Sequence, residues 1–345
     1  MGGTIGQSAM RDARFGFCVP LFANPGAAYF RTPAWTALEP SRAVDAAVAA
    51  ERLGYDSVWV ADHLMHGHDG GILEGWTTLS VIAGRTSRVQ LGTIHLAQPF
   101  REPALLAKMA ATLDALSGGR LVLFYDCGWH EAEVRAYGLP WPAENERIAR
   151  MAEGIELIRA LWQADAPLDF AGSYFHTRQA VCRPRPAQRP RPPVWLGEAR
   201  HDRWLDAVAR HADGWNSVPA GVPQLRAKLD ALRAACARAG RDPAALEISL
   251  ETQVLVAPTE ADVRATLARI AALPPSPRGT PRSPADLATD TLVGTPEAVA
   301  ARLEEYTALG VSHFMLWFLD FPSLDGLGLF AEQVIPRLRT RQGAA

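Results

Sequence analysis

Runs of consecutive apolar residues alternate along this chain with stretches whose apolar positions recur every three to four residues. The clearest unit spans residues 117–138, SGGRLVLFYDCGWHEAEVRAYG. A glycine turn leads into Leu121, Val122, Leu123, Phe124 and Tyr125, then a polar exit at Asp126, Cys127 and Gly128, then an amphipathic helix start. A strand apolar at consecutive positions is one covered on both faces, as in a parallel sheet. Comparable runs at 15–20 (FGFCVP), 55–61 (YDSVWVA), 88–93 (RVQLGT), 194–196 (VWL), within 209–217 (ARHADGWNS), at 246–256 and at 311–318 predict seven further strands. Between them the pattern switches to the helical period. Ser41 is placed as the cap of an alanine-rich helix carrying Val44, Ala47, Val48 and Ala50 and ending at Gly54. Helices follow at 74–83, 103–116, 144–162 and 222–239, and two more are capped by Thr259 and by Thr295, the latter with Pro296 at its first position. Eight strands alternating with helices predict an α/β fold of the (β/α)8 TIM-barrel type in one domain, with chemistry at the carboxyl ends of the strands.

Two segments interrupt the alternation. Residues 165–193 turn to proline and arginine, which reads as a short hairpin insertion and a stiff connector before strand five. LPPSPRGTPRSP at 273–284, inside a loop of about 271–290, is too rich in proline for helix or strand and is expected to be a lid after strand seven.

Length and charge narrow the partners. The 345 residues suit a barrel with insertions, and 48% hydrophobic content supplies a sizeable core. A net charge of −2 without a single-sign block argues against nucleic acid or an anionic membrane and for a small, neutral or mildly charged substrate. The four cysteines lie far apart with no CxxC, so reduced thiols in a cytoplasm are expected. Neither a basic start leading into an apolar run nor a long apolar stretch is present, so no leader or membrane span is expected. Arginine almost everywhere in place of lysine, which occurs only at Lys108 and Lys228, points with abundant alanine to a GC-rich bacterial genome.

Strand two delivers Asp62 and His63 to the rim, and HLMHGHD then presents His66 and His68. Three histidines so close can ligate zinc or iron. They follow a strand inside a glycine-rich loop, without helical i,i+4 spacing or a strand HxH, so the segment is read as a loop lining the substrate, and no metal is expected. No GxGxxG follows a strand, so a dinucleotide fold lacks its phosphate fingerprint.

The stretches DSVWVADH, RVQLGT, LDALSGGRLVL, GWHEAEVRAYGLPW, PPVWLGEAR and ADGWNS, in this order along the chain, resemble the bacterial luciferase-like oxidoreductases, which use FMN or the deazaflavin coenzyme F-420. The resemblance implies a bulge or non-proline cis peptide at the end of strand three, with Thr93, Ile94 and His95 backing the isoalloxazine. It sets Asp62, His63, Asp126, Gly128 and Trp129 around the ring, with His63 or His95 as proton donor because histidine titrates near neutrality. Gly197 and Arg200 fall at the βα turn that holds the cofactor phosphate. Glu198 stands where glycine or serine is usual, so a carboxylate would repel the phosphate unless Arg200, His201 and Arg203 offset it with Glu198 turned to solvent. Reduced FMN, delivered by a separate flavin reductase, with oxygen inserted into a small organic substrate, is the favoured activity. Hydride transfer with F-420 is the alternative, set back by FYDCGW at strand four where that branch carries GxGxGW. A flavin binder without turnover and a metal-assisted hydrolase are the remaining classes. Relatives commonly dimerise, so a homodimer is expected.

Overall fold

The computed structural model describes residues 12–26, 31–198, 202–273, 287 and 289–342. Eight strands, β1 (Arg14–Val19), β2 (Ser57–Ala61), β3 (Gln90–Ile94), β4 (Leu121–Asp126), β5 (Val194–Leu196), β6 (Gly214–Ser217), β7 (Glu247–Val256) and β8 (His313–Phe318), pair in parallel in chain order. β8 returns to β1 with Phe314 opposite Phe15, so the sheet closes into a (β/α)8 barrel as expected. The helices α1 (Pro40–Arg52), α2 (Gly75–Arg85), α3 (Pro103–Ser117), α4 (Glu131–Ala136), α5 (Glu144–Gln163), α6 (Asp202–His211), α7 (Val222–Arg238), α8 (Glu260–Ala271) and α9 (Pro296–Thr307) lie between the strands. None of the described helices is long and apolar enough to cross a membrane.

Parallel strands covered on both faces explain the unbroken apolar runs. Outward side chains meet the helices. Inward ones form a second cluster holding Cys18, Trp59, Val122, Phe124, Trp195, Met315 and Trp317. Two tryptophans fill the barrel axis, Trp59 and Trp195, with ring centroids 5.2 Å apart. Glycines on neighbouring strands make room for them. A Cβ at Gly16 would lie 2.5 Å from Trp59 Nε1, one at Gly214 2.5 Å from Trp195 Nε1, and one at Gly92 inside the Trp59 ring. The axis is a packed core, which leaves the carboxyl rim as the end where a barrel of this type holds its ligand.

The helix caps at Thr259 and Thr295 are as expected: their side chains accept from Asp262 N and Ala298 N. Ser41 is not a cap. The helix begins one residue earlier, with Pro40 in its first turn and Glu39 preceding it, because proline's fixed φ suits that position and its missing N–H is one the helix leaves unpaired. The face of α1 that is fully buried is Ala43, Ala46, Ala47 and Ala50, one step round from the valines. Instead, Glu74 caps α2, accepting from Trp76 N at 3.0 Å and Thr77 N at 2.6 Å.

The insertion contains the expected hairpin, Leu168–Ala171 against His176–Ala180, in antiparallel register. Its arginines bind their own connector and its surroundings. Arg183 donates to Asp165 O, Arg185 to Ala164 O, and Arg191 pairs with Asp213. The connector enters β5 at its amino end, opposite the rim, which suits a structural role for this basic cluster. Arg200, His201 and most of the expected lid lie outside the described residues.

Candidate functional site

At the end of β2, Asp62 and His63 go separate ways. Asp62 is 2% exposed, and its carboxylate accepts both terminal nitrogens of Arg101 at 2.9 Å and the amide of Ala97 at 3.2 Å. Arg101 also reaches Glu74. Asp62 therefore ties the end of β2 to the segment between β3 and α3 and to the cap of α2.

His63 faces a carboxylate not among the residues expected at the site. Its Nδ1 lies 2.7 Å from Glu133 Oε1, 70 positions later in the first turn of α4. Glu133 Oε2 takes the amides of Leu64 at 3.0 Å and Met65 at 3.1 Å. Burial pushes the Glu133 carboxyl up, yet the bond and charge of His63 and the two amides outweigh burial and hold it below the usual carboxylate range. An ionised carboxylate only accepts, so Nδ1 of His63 carries a proton and donates it to Glu133, leaving Nε2 as the ring's other nitrogen. The His63 ring lies flat on His66 at 4.6 Å and meets the edge of Trp129 at 5.2 Å. His130 completes the group, its Nδ1 3.5 Å from Glu133 Oε1, shielded from solvent and without a hydrogen-bond partner.

The end of β3 is kinked. The Ile94–His95 peptide is cis, and strand pairing resumes at Leu96–Ala97 against Tyr125 and Asp126. Thr93 bonds back to Phe124 O at 3.1 Å. The His95 ring packs 4.5 Å from that of Phe124, its Nδ1 is 3.4 Å from Asp126, and its Nε2 is buried with no partner. Asp126 accepts the amide of Gly128 at 2.6 Å, closing a turn that Gly128 makes at φ +83°, in the left-handed region that favours glycine. Asp62, His63, His95, Asp126, Gly128, Trp129, His130 and Glu133 all line one narrow cleft at the carboxyl rim.

Asp126 and Gly197 end neighbouring strands, with Tyr125 opposite Leu196. Gly197 faces the His95 and Phe124 rings, and a Cβ there would lie 3.5 Å from each. Glu198 is turned inward and not, as expected, to solvent. Lys228 of α7 holds it at 2.6 Å, with Ser217 Oγ and Val218 N at 3.3 and 3.2 Å. Lys228 thus brings a positive charge from α7 to Glu198.

Across the rim, Glu251 and Gln253 both point inward. Trp317 Nε1 donates to Glu251 at 2.7 Å, the guanidinium of Arg31 is 3.3 Å from the same oxygen, and Arg31 N donates to Gln253 at 2.5 Å. Arg31 adopts φ +56°, unusual for a side-chain-bearing residue, and lies 4.9 Å over the Trp317 ring.

A family described as luciferase-like monooxygenase matches residues 15–313. The chain belongs to that family. Among luciferase-like relatives it is 32% identical over 326 residues to an F420-dependent glucose-6-phosphate dehydrogenase of Nakamurella multipartita, covering 88% of this chain and 94% of the relative. It is 28% identical over 319 residues to an FMNH(2)-dependent dimethylsulfone monooxygenase of Pseudomonas putida, covering 84% and 85%. The fold is similar to that of an F420-dependent secondary alcohol dehydrogenase solved with an F420-acetone adduct, with a TM-score of 0.76, 22% identity, and 95% and 99% of the two chains covered. This luciferase-like protein is thus an oxidoreductase whose relatives divide between deazaflavin and FMN chemistry.

Proposed function

We propose that this protein transfers hydride between coenzyme F-420 and the carbinol carbon of a small alcohol, with His63 as the base. The observation that carries the reading is the Glu133–His63 pair at 2.7 Å, which holds Nδ1 of His63 and leaves Nε2 as the nitrogen that exchanges a proton at the cleft these residues line. The residues present fit a flat heterocycle with a hydrogen-bonding edge. His95 Nε2 is buried without a partner, and glycine at 197 leaves the wall beside it bare. Bound there, a deazaflavin supplies a two-electron hydride acceptor. His63 takes the hydroxyl proton as the carbon loses hydride, and the imidazolium so formed is paired with Glu133. Trp129 walls the cleft on the His63 side, and Asp126 holds the Gly128 turn and faces His95. Lys228, drawn in by Glu198, places a cation near the end of β5, where the resemblance sets the cofactor phosphate. The relative of Nakamurella multipartita, named for F420 and a sugar phosphate, supports this choice over the FMN reading that the sequence favoured.

The second reading, oxygen insertion with reduced FMN from a separate reductase, is supported by the dimethylsulfone monooxygenase relative and by the end of β4. There Phe124 and Tyr125 stand buried in place of a glycine run. Fluorescence titration of the purified protein with F-420 and with FMN, followed by turnover on a panel of small alcohols, separates the two. The expected result is F-420 binding and alcohol-dependent bleaching of its visible absorbance, with His63→Ala binding F-420 normally and failing to bleach it. Oxygen consumption with reduced FMN, matched to product and with no response to F-420, would refute the proposal and leave the second reading.

A further inference from the structure

We propose that His63, His130 and Glu133 form a binding site for one divalent transition-metal ion, zinc above all, on the barrel rim. The donor atoms, one ring nitrogen from each histidine and one carboxylate oxygen, all lie within 4.8 Å of one another. Two imidazoles and a carboxylate are a known zinc set, one that leaves the fourth position open. Tetrahedral zinc, with bonds of about 2.0–2.2 Å, needs its donors roughly 3.3–3.5 Å apart. His130 Nδ1 already stands 3.5 Å from Glu133 Oε1, and the His63 Nδ1 contact of 2.7 Å has only to open as the ion takes the place of the shared proton.

Two further features favour an ion over a plain hydrogen-bonded cluster. The amides of Leu64 and Met65 hold Glu133 Oε2, which orients Oε1 toward both rings as an outer-shell partner orients a ligand. And His130 Nδ1, sheltered from water with no hydrogen-bond partner, is the donor an ion would satisfy, since Oε1 is already taken by His63. The histidines that the sequence offers for a metal, in a loop read as lining the substrate, are His63, His66 and His68. That trio cannot converge. The rings of His63 and His66 are stacked with only 12° between them, so their in-plane lone pairs do not meet, and His68 Nδ1 is engaged with Ala23 O at 3.1 Å. Because the ion would occupy the nitrogen and oxygen that orient His63, metal and proton transfer exclude each other at this site.

The full-length protein, stripped with a chelator and desalted, is titrated with cobalt(II) chloride while the visible absorption of tetrahedral cobalt is followed, and with zinc chloride by calorimetry. One equivalent should bind. His130→Ala, a half-buried position whose variant is checked for fold by circular dichroism, should weaken binding at least about tenfold. His66→Ala and His68→Ala should stay within about twofold of the parent. Absence of saturable binding, binding unchanged in His130→Ala, or binding lost in His68→Ala would each overturn the assignment.

Discussion

Replacing Glu133 by Gln tests how His63 is prepared, because an amide cannot do what this carboxylate does. One carboxylate oxygen takes His63 Nδ1 while the other takes two amides. Glutamine has one accepting oxygen, and its NH2 would have to face a donor. The two backbone amides outnumber the one ring N–H, so the oxygen goes to them and the NH2 turns to His63. That favours the tautomer with the proton on Nε2, and the nitrogen facing the cleft changes from acceptor to donor. A charge-assisted hydrogen bond is worth about 1.5–3 kcal/mol, so a step that takes a proton on Nε2 should slow by roughly 10- to 150-fold. KM should change little, since no substrate contact is removed. Two measurements check this: single-turnover bleaching of F-420 by an alcohol, and long-range 15N–1H spectra of the ring nitrogens, which report the tautomer without turnover. A variant with parental kcat and an unchanged His63 tautomer would refute the orientation argument. Loss of kcat with the tautomer unchanged would refute it equally, by tracing the loss elsewhere.

Three further outcomes follow from the core and the far end of the barrel. Burial raises the Glu247 carboxyl, but the bond and charge of His313 and the ion pair with Arg14 outweigh it and bring it down to about 2. A depressed carboxyl stabilises the fold above its unfolded value and loses that contribution as pH falls through the folded one. Glu247→Gln should therefore cost roughly 3 kcal/mol at neutral pH, with the gap to the parent closing between about pH 4.5 and 2 in urea titrations. Asp320 is the opposite case. Burial lifts it to about 6, and only one of its oxygens has a partner, the amide of Gly326 at 2.9 Å. The penalty for its ionisation builds as pH rises from 3.8 to about 6 and is complete above that, so Asp320→Asn, which keeps an acceptor for Gly326, should raise the melting temperature at pH 8 by an amount worth about 2–3 kcal/mol, with the gain fading as pH falls from about 6 to below about 4. Gly92→Ala puts a methyl into the Trp59 ring and should destabilise by at least about 1–3 kcal/mol in thermal melts; a neutral result would mean that the axis is not packed as described.

How much of this was legible in the sequence follows from what hydrophobic period can and cannot encode. Unbroken apolar runs give parallel strands, and parallel strands put every carboxyl end on one rim. That is why Asp62, His63, His95, Asp126, Gly128, Trp129 and Gly197 could be placed on one side of the molecule before any coordinates. Period says nothing about which rim groups touch, because that depends on the phase of each following helix. Glu133 reads locally as one of two acids in the first turn of a short helix, where a carboxylate is favoured by the helix dipole whatever it faces. Only the spatial adjacency of β2 and β4 across β3 brings it to His63. His130, three residues before it, was the available signal, since i,i+3 neighbours share a helix face. Glu198 shows the same limit from the other side. In sequence Glu198 conflicts with the expected phosphate, and the cations near it in the chain are Arg200, His201 and Arg203. In space a further cation, Lys228, 30 positions on, reaches it, because α7 packs back over the end of β6 and carries its lysine to Ser217 and Glu198. Of the two lysines in a chain that otherwise uses arginine, this one holds a carboxylate on the rim. An ammonium is a compact point charge on a flexible stem, free to trade that carboxylate for an incoming anion, whereas a guanidinium fork bound bidentately, as Arg101 is to Asp62, is committed to its partner.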